Sequence, residues 1–202
     1  MTEMPPQPPQ PNTTFSSLIT DGFLTKLGRA TGVKFFEEQM LCVTLVAAEC
    51  DKINAEDGEG AINKQEFCYI LATLKHECGF RSIKEYKAPE GTRIWDMQKR
   101  YWLTGYYGRG YSQLTWQKNY AKFSPIVGID LVKSPDEVLK PKTGAKILVI
   151  GMYKGLFSGK KLRDYFSDAA NPKWNGARRI VNGTFQAQRV TDVALKILPL
   201  LG

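Results

Sequence analysis

Two carboxylates stand just upstream of a segment dense in rings, amides, hydroxyls and glycines. Glu77 lies in His76-Glu77-Cys78-Gly79-Phe80 and Glu85 in Ile83-Lys84-Glu85-Tyr86. The run Tyr106-Tyr107-Gly108-Arg109-Gly110-Tyr111-Ser112-Gln113-Leu114-Thr115-Trp116-Gln117-Lys118-Asn119-Tyr120 follows. Breaking a glycosidic bond takes one carboxyl group to protonate the leaving oxygen and a second to activate water or attack the sugar. Aromatic rings and amides are the side chains a sugar cleft would use around such a pair.

Residues 63–77 carry the marks of a helix that would deliver the first carboxylate. Asn63 and Glu66 have capping-box spacing, with Asn in place of Ser or Thr. Phe67, Ile70, Leu71 and Leu74 form an apolar stripe, and three residues further that stripe reaches Glu77. A carboxylate there meets apolar walls and the negative end of the helix dipole, both of which favour the protonated acid. Glu85 comes eight residues later, past Gly79, in a polar loop where charge stays solvated. Unlike surroundings are how paired carboxylates divide acid and base work. Glu90 and Asp96 are rivals to Glu85 for the second role.

The remaining elements read as helical support. Phe15, Leu18, Ile19, Phe23 and Leu27 predict one helix ending near Gly28, and a second spans about residues 36–50. Residues 51–60 read as a polar surface loop whose oxygens do not match calcium-loop spacing. A long helix is predicted over 137–155 with Pro141 in its first turn, then shorter ones over 161–166, 175–182 and 186–200. A small hairpin between residues 93 and 114 is the one strand feature expected. The fold class is therefore mainly α. Residues 1–12, rich in Pro and Gln, read as a disordered tail ahead of one domain over residues 13–202.

Composition narrows the classes further. The 202 residues, 43% of them hydrophobic, suffice for one well-cored domain. The chain contains no run of eighteen apolar residues and no recognisable secretion signal, so synthesis in a cytoplasm is expected. Cys42, Cys50, Cys68 and Cys78 read as buried thiols; with one histidine and no C-x-x-C, no metal is expected. The net charge of +8 is concentrated: residues 140–202 hold twelve Lys/Arg against three Asp/Glu. An anionic cell envelope would be attracted to that region. Nucleic acid is not expected as a partner, since no nucleic-acid motif is recognisable.

The string HE, then SIKEY, then YYGRGYSQLTWQKNY resembles the catalytic region of glycoside hydrolase family 19, the chitinase-like enzymes that include many phage endolysins. Gly128-Ile129-Asp130-Leu131-Val132, Pro135-Asp136 and the stretch from Asn175 to Gly183 extend the likeness over roughly residues 60–185. The resemblance implies a lysozyme-like α-helical glycoside hydrolase domain, working without cofactor as an inverting enzyme with two carboxylates. By position Glu77 matches the general acid, Glu85 the second catalytic glutamate and Thr115 the hydroxyl that holds the attacking water. Gln113 and Asn119 match cleft amides, Tyr107 and Arg109 the wall beside the acid, and Asn182 the asparagine of a C-terminal Asn-Gly pair. The implied role is a monomeric endolysin that cuts peptidoglycan glycan strands between N-acetylmuramic acid and N-acetylglucosamine. It would be held in the host bacterial cytoplasm until a holin releases it to the periplasmic wall. A small bacterial chitinase on the same fold and a non-catalytic polyanion binder are the alternatives. The loop between the glutamates is much shorter than in the plant-type enzymes, where HETTGG stands in place of HECGF.

Other residues are open to two readings. His76 serves the chemistry or shapes the site by local hydrogen bonds. Trp95, Trp102 and Trp116 stack on sugars or fill core. Gly108 and Gly110 read as permitting tight backbone geometry rather than binding phosphate. Arg178 and Arg179 pair with the catalytic carboxylates or lie on a solvated helix face.

Overall fold

Capping side chains and apolar stripes set the helices of the computed structural model, which describes residues 14–202; the expected tail over residues 1–12 lies outside the described residues. The first predicted helix is two. Thr14 and Thr20 each accept from a backbone N–H three residues on, at 3.2 Å, and start α1 (Phe15–Leu18) and α2 (Asp21–Thr31) separately. α3 (Glu37–Asp57) runs through most of the predicted polar loop, because the buried stripe Val46, Cys50 continues to Ile53 while the polar residues face out. Asp51 on that extension accepts from Phe15 N and Ser16 N at 2.6 and 2.8 Å, fixing the start of α1. α4 (Lys64–Cys78) forms as its sequence predicts. Asn63 Oδ1 accepts from Glu66 N at 2.9 Å, and Glu66 Oε2 accepts from Asn63 N at 2.8 Å. Gly79, at φ 61°, closes the helix in the left-handed conformation.

The segment expected as a hairpin is instead a helix, α5 (Arg93–Trp102), started by Thr92 and followed by a turn. Its one buried residue is Gln98, while Ile94 and Met97 are exposed, so its helical spacing of apolar residues does not mark a buried stripe. Strand pairing among the described residues is limited to two antiparallel bridges that share Arg109, to Lys84 and to Leu114. α6 (Gln117–Val127) follows. The long helix predicted from residue 137 begins only at Pro141 as α7 (Pro141–Lys154), after a 3₁₀ turn over Pro135–Leu139. Lys140, extended as residues before proline are, separates the two. α8 (Arg163–Phe166), a 3₁₀ turn at Gly176–Ile180, α9 (Ala187–Ile197) and a last 3₁₀ turn at Leu198–Leu201 complete the chain.

The architecture is mainly α and lysozyme-like, as expected. α4 packs along α9 and α3 along α7, and these helices enclose the larger of two apolar clusters. The smaller gathers Leu114, Tyr120, Phe123, Leu131, Val138 and Ile147 around α6. Phe157 packs against both clusters. It lies flat on α7 at Gly151, where a Cβ would come within 2.3 Å of its ring. All four cysteines are free and buried, and burial raises each thiol, Cys78 to about 12. No helix among the described residues is long and apolar enough to cross a membrane.

Candidate active site

A cleft of about 390 Å³ opens between the two clusters, lined by Glu77, Glu85, Tyr101, Ser112, Gln113, Thr115, Trp116, Asn119 and Asn182 among others. A larger groove of about 600 Å³ runs between α2 and the residues leading into α3, over Leu24, Val33, Phe35 and Met40. That groove is mainly apolar and lacks a pair of groups able to exchange protons with a substrate. Convergent polar side chains, rather than size, single out the smaller cleft.

Glu77 arrives on the last turn of α4, where the buried stripe meets the cleft. Its side chain is 14% exposed, and Arg178, 3% exposed on the 3₁₀ turn, places Nη1 2.7 Å from Glu77 Oε1. That oxygen takes no aligned hydrogen bond, so the contact is charge pairing off the N–H axis. Of the two arginines left open by sequence, Arg178 thus pairs with a cleft carboxylate, while Arg179 is exposed. Beside the apolar walls and the helix end expected from the sequence, the carboxylate thus has a buried guanidinium as its neighbour.

Glu85 is not the solvated loop carboxylate expected. Tyr101 Oη donates to its Oε1 at 2.6 Å, Gln98 Nε2 donates to the same oxygen at 3.0 Å, and Gly108 N donates to Oε2 at 2.9 Å. Glu85 N returns a bond to Gly108 O at 2.8 Å. Burial and then the neighbouring carboxylate push the Tyr101 phenol up, so it remains a donor at any ordinary pH. Gly108 is required here: a Cβ would lie 2.9 Å from Gln113 Oε1 and 3.2 Å from Glu85 Oε2. Gln98 also holds Tyr86 O and Ala88 N, tying α5 to the loop that carries Glu85. The rivals lie outside the cleft, Glu90 paired with Lys87 and Asp96 with Lys99, each at 2.8 Å.

The cleft amides are oriented by their own backbone bonds. Gln113 donates its NH₂ to Ile83 O and Gly110 O at 3.0 and 2.9 Å, and Asn119 donates to Thr115 O at 2.8 Å. Each therefore keeps its side-chain oxygen for a donor such as the N–H of an acetamido group. Thr115 Oγ1 donates to Gln113 O at 2.9 Å, leaving lone pairs that can accept from a water. Gln113 and Trp116 have φ of 49° and 75°, a left-handed backbone uncommon outside glycine and held here by the surrounding bonds. Trp116 is 41% exposed at the cleft edge, and Asn182 is exposed on its opposite side.

Two predicted wall residues stand behind the cleft rather than in it. Arg109 is buried, bonded to Asp136 Oδ1 at 2.7 Å, to Gly105 O and Tyr107 O, and to Tyr120 Oη. Its guanidinium lies 3.8 Å above the Tyr107 ring, which stacks on Trp102 at 4.3 Å. The substrate contact expected of Arg109 is corrected to a positioning role: all its bonds go to the loop, to Asp136 and to Tyr120. Trp95 likewise stays outside the cleft, under Lys87. Sequence reasoning missed Tyr101, Gln98 and Ser112, the last with a buried hydroxyl in the cleft floor and no partner among the described residues. Only Ser112, inside the motif run, carried any signal.

The chain is similar to plant chitinases. It is 31% identical over 145 residues to one endochitinase of Arabidopsis thaliana, covering 67% of this chain and 48% of the relative. A second from the same plant is 28% identical over 141 residues, covering 64% and 46%. An endochitinase of Theobroma cacao is 28% identical over 109 residues, covering 46% and 33%. The chain thus spans about half the length of the Arabidopsis relatives and a third of the other. No family model matches. The likeness to the first of these endochitinases extends over two thirds of the chain.

Proposed function

We propose that this chitinase-related chain is a glycoside hydrolase of the endolysin kind, cleaving the β-1,4 bond between N-acetylmuramic acid and N-acetylglucosamine in peptidoglycan. The observation that carries the reading is the convergence of Glu77 and Glu85 on one cleft with Thr115, Gln113, Asn119 and Asn182. In the proposed reaction Glu77 gives its proton to the leaving glycosidic oxygen as the C1–O bond breaks. Glu85 takes a proton from a water held with Thr115, and the hydroxide so formed bonds to C1 from the opposite face. Arg178 receives the Glu77 carboxylate as that proton departs. Tyr101, Gln98 and the Gly108 amide keep Glu85 oriented toward the water. Peptidoglycan is favoured by the basic balance of residues 140–202, which suits an anionic wall and serves no purpose toward uncharged chitin. In this reading the protein is made in a bacterial host and meets the wall once the membrane has been opened.

Chitin hydrolysis is the second reading, supported by the names of the plant relatives. Mass spectrometry of soluble products from purified sacculi and from chitohexaose, with wild type and Glu77→Gln, separates the two. Disaccharide-peptides released by wild type alone are the expected result, and their reducing-end sugar names the bond. Cleavage of chitohexaose with no release from sacculi would replace peptidoglycan by chitin.

A further inference from the structure

Around the corner from the cleft, a second and smaller pocket of about 220 Å³ is lined by Lys75, His76, Gln186, Arg189 and Val193. Every ionisable group lining it is basic. Neither Lys75 nor Arg189 makes an ion pair or a side-chain hydrogen bond among the described residues. His76 is lowered from its ordinary value, first by burial and then by Arg178, with Arg189 and Lys75 adding to the effect. The end of α4 accounts for Lys75 and His76, since cations suit a helix C-terminus. It does not account for Arg189, which sits in the first turn of α9, the positive end of a helix with no acidic residue in that turn. Asp192, the next acid along α9, is bonded to Gln188 at 2.7 Å. Two cations and a histidine thus surround a cavity that supplies no anion of its own.

The pocket and the cleft share no lining residue but are linked through Arg178 and the loop it holds. Arg178 pairs with Glu77 on one side and acts on His76 on the other, and its Nε donates to Phe185 O at 3.3 Å. The loop it holds runs from Asn182, which lines the cleft, to Gln186, which lines the pocket. That loop leads from the sugar cleft to the basic wall. Chitin carries no charged substituent, whereas the muramic sugars of peptidoglycan carry peptides bearing several carboxylates.

We infer that the Lys75–His76–Arg189 pocket is a subsite for a carboxylate on the peptide substituent of the glycan, distinguishing peptidoglycan from uncharged polymers. The inference rests on the peptidoglycan reading. It adds a site for the peptide to a cleft that otherwise contacts sugar. Charge-assisted hydrogen bonds from Lys75 and Arg189, partly screened by solvent, would raise affinity by about tenfold.

His76 is the chain's single histidine, so its ring signals in NMR report on the pocket without ambiguity. The probe is a disaccharide-tetrapeptide, titrated into wild type and into the double variant Lys75→Ala with Arg189→Ala. A saturable shift of His76 in wild type, about tenfold weaker in the double variant and absent with the peptide-free disaccharide, is expected. In turnover the double variant should raise KM on sacculi about tenfold at unchanged kcat. It should match wild type on glycan strands stripped of peptide by an amidase. A His76 signal that stays in place, or that moves equally in both proteins, overturns the inference. So does an equal shift from inorganic phosphate at the same concentration, which would mean an adventitious ion only. Wild type that fails to cut sacculi while His76 still shifts would remove the proposed function and leave the carboxylate site standing.

Discussion

Glu77 and Glu85 reach the same cleft from regions built on different principles. The Glu77 region is core: α4 is packed on α9 within the larger apolar cluster, and its carboxylate meets one buried guanidinium. The Glu85 region is a polar lattice, in which α5 buries a single amide and Arg109 holds the loop by hydrogen bonds to backbone carbonyls. Packing fixes the first carboxylate and hydrogen bonds fix the second. Activity should be sensitive to damage in either region, whereas stability should be sensitive mainly in the first.

The largest effect tests that contrast directly. Glu77→Gln should lower kcat by about three orders of magnitude, as for loss of a general acid. It should also lower the melting temperature, because Arg178 is left buried without its counter-charge. Glu85→Gln should cost a comparable factor in kcat and lower the melting temperature less than Glu77→Gln, since Gln keeps an oxygen for Tyr101 and Gln98 and strands only the Gly108 N–H. Equal thermal losses in the two variants would break the contrast. Thr115→Ala should lose about one to two orders of magnitude in kcat through a misplaced water, with an unchanged thermal unfolding curve. Tyr101→Phe should reduce kcat by about tenfold and loosen α5, read as faster hydrogen exchange over residues 93–102.

The smallest effect belongs to the other end of α4. Glu66 is buried there, and burial raises it to about 6 against backbone bonding from Asn63 and the charge of Arg163. A carboxyl group held higher in the folded state than in the unfolded chain adds stability fully below about 4.5 and loses it as pH rises through about 6. Glu66→Gln keeps the capping geometry and should flatten the dependence of melting temperature on pH between those values. A slope that survives the substitution would assign it to another group.

Sequence legibility followed the same division. The Glu77 helix was readable to its cap because packing writes itself as a stripe, from Phe67 to Leu74, and Asn63 with Glu66 marks the start. α5 was missed although Ile94, Trp95, Tyr101 and Trp102 recur at helical spacing, and its inward residue is Gln98 while Ile94 and Met97 face solvent, so the stripe marks no core face. Glu85, Thr115, Gln113, Asn119 and Asn182 were legible only as a motif string, and the cleft gathers all five with Glu77. Arg109 was placed in the cleft wall by the resemblance alone, whereas four bonds to the protein make it a strut. The Lys75, His76 and Arg189 grouping had no sequence signal, since α9 packing alone joins its parts.

The claim that matters most is that Glu85 works on water and Glu77 on the leaving oxygen. Proton NMR of the first reducing-end sugar formed, read before mutarotation, tests it most directly. Release as the α-anomer is predicted, since a water delivered by Glu85 and Thr115 inverts C1. Release as the β-anomer would mean that a carboxylate attacks the sugar itself, and would contradict the account.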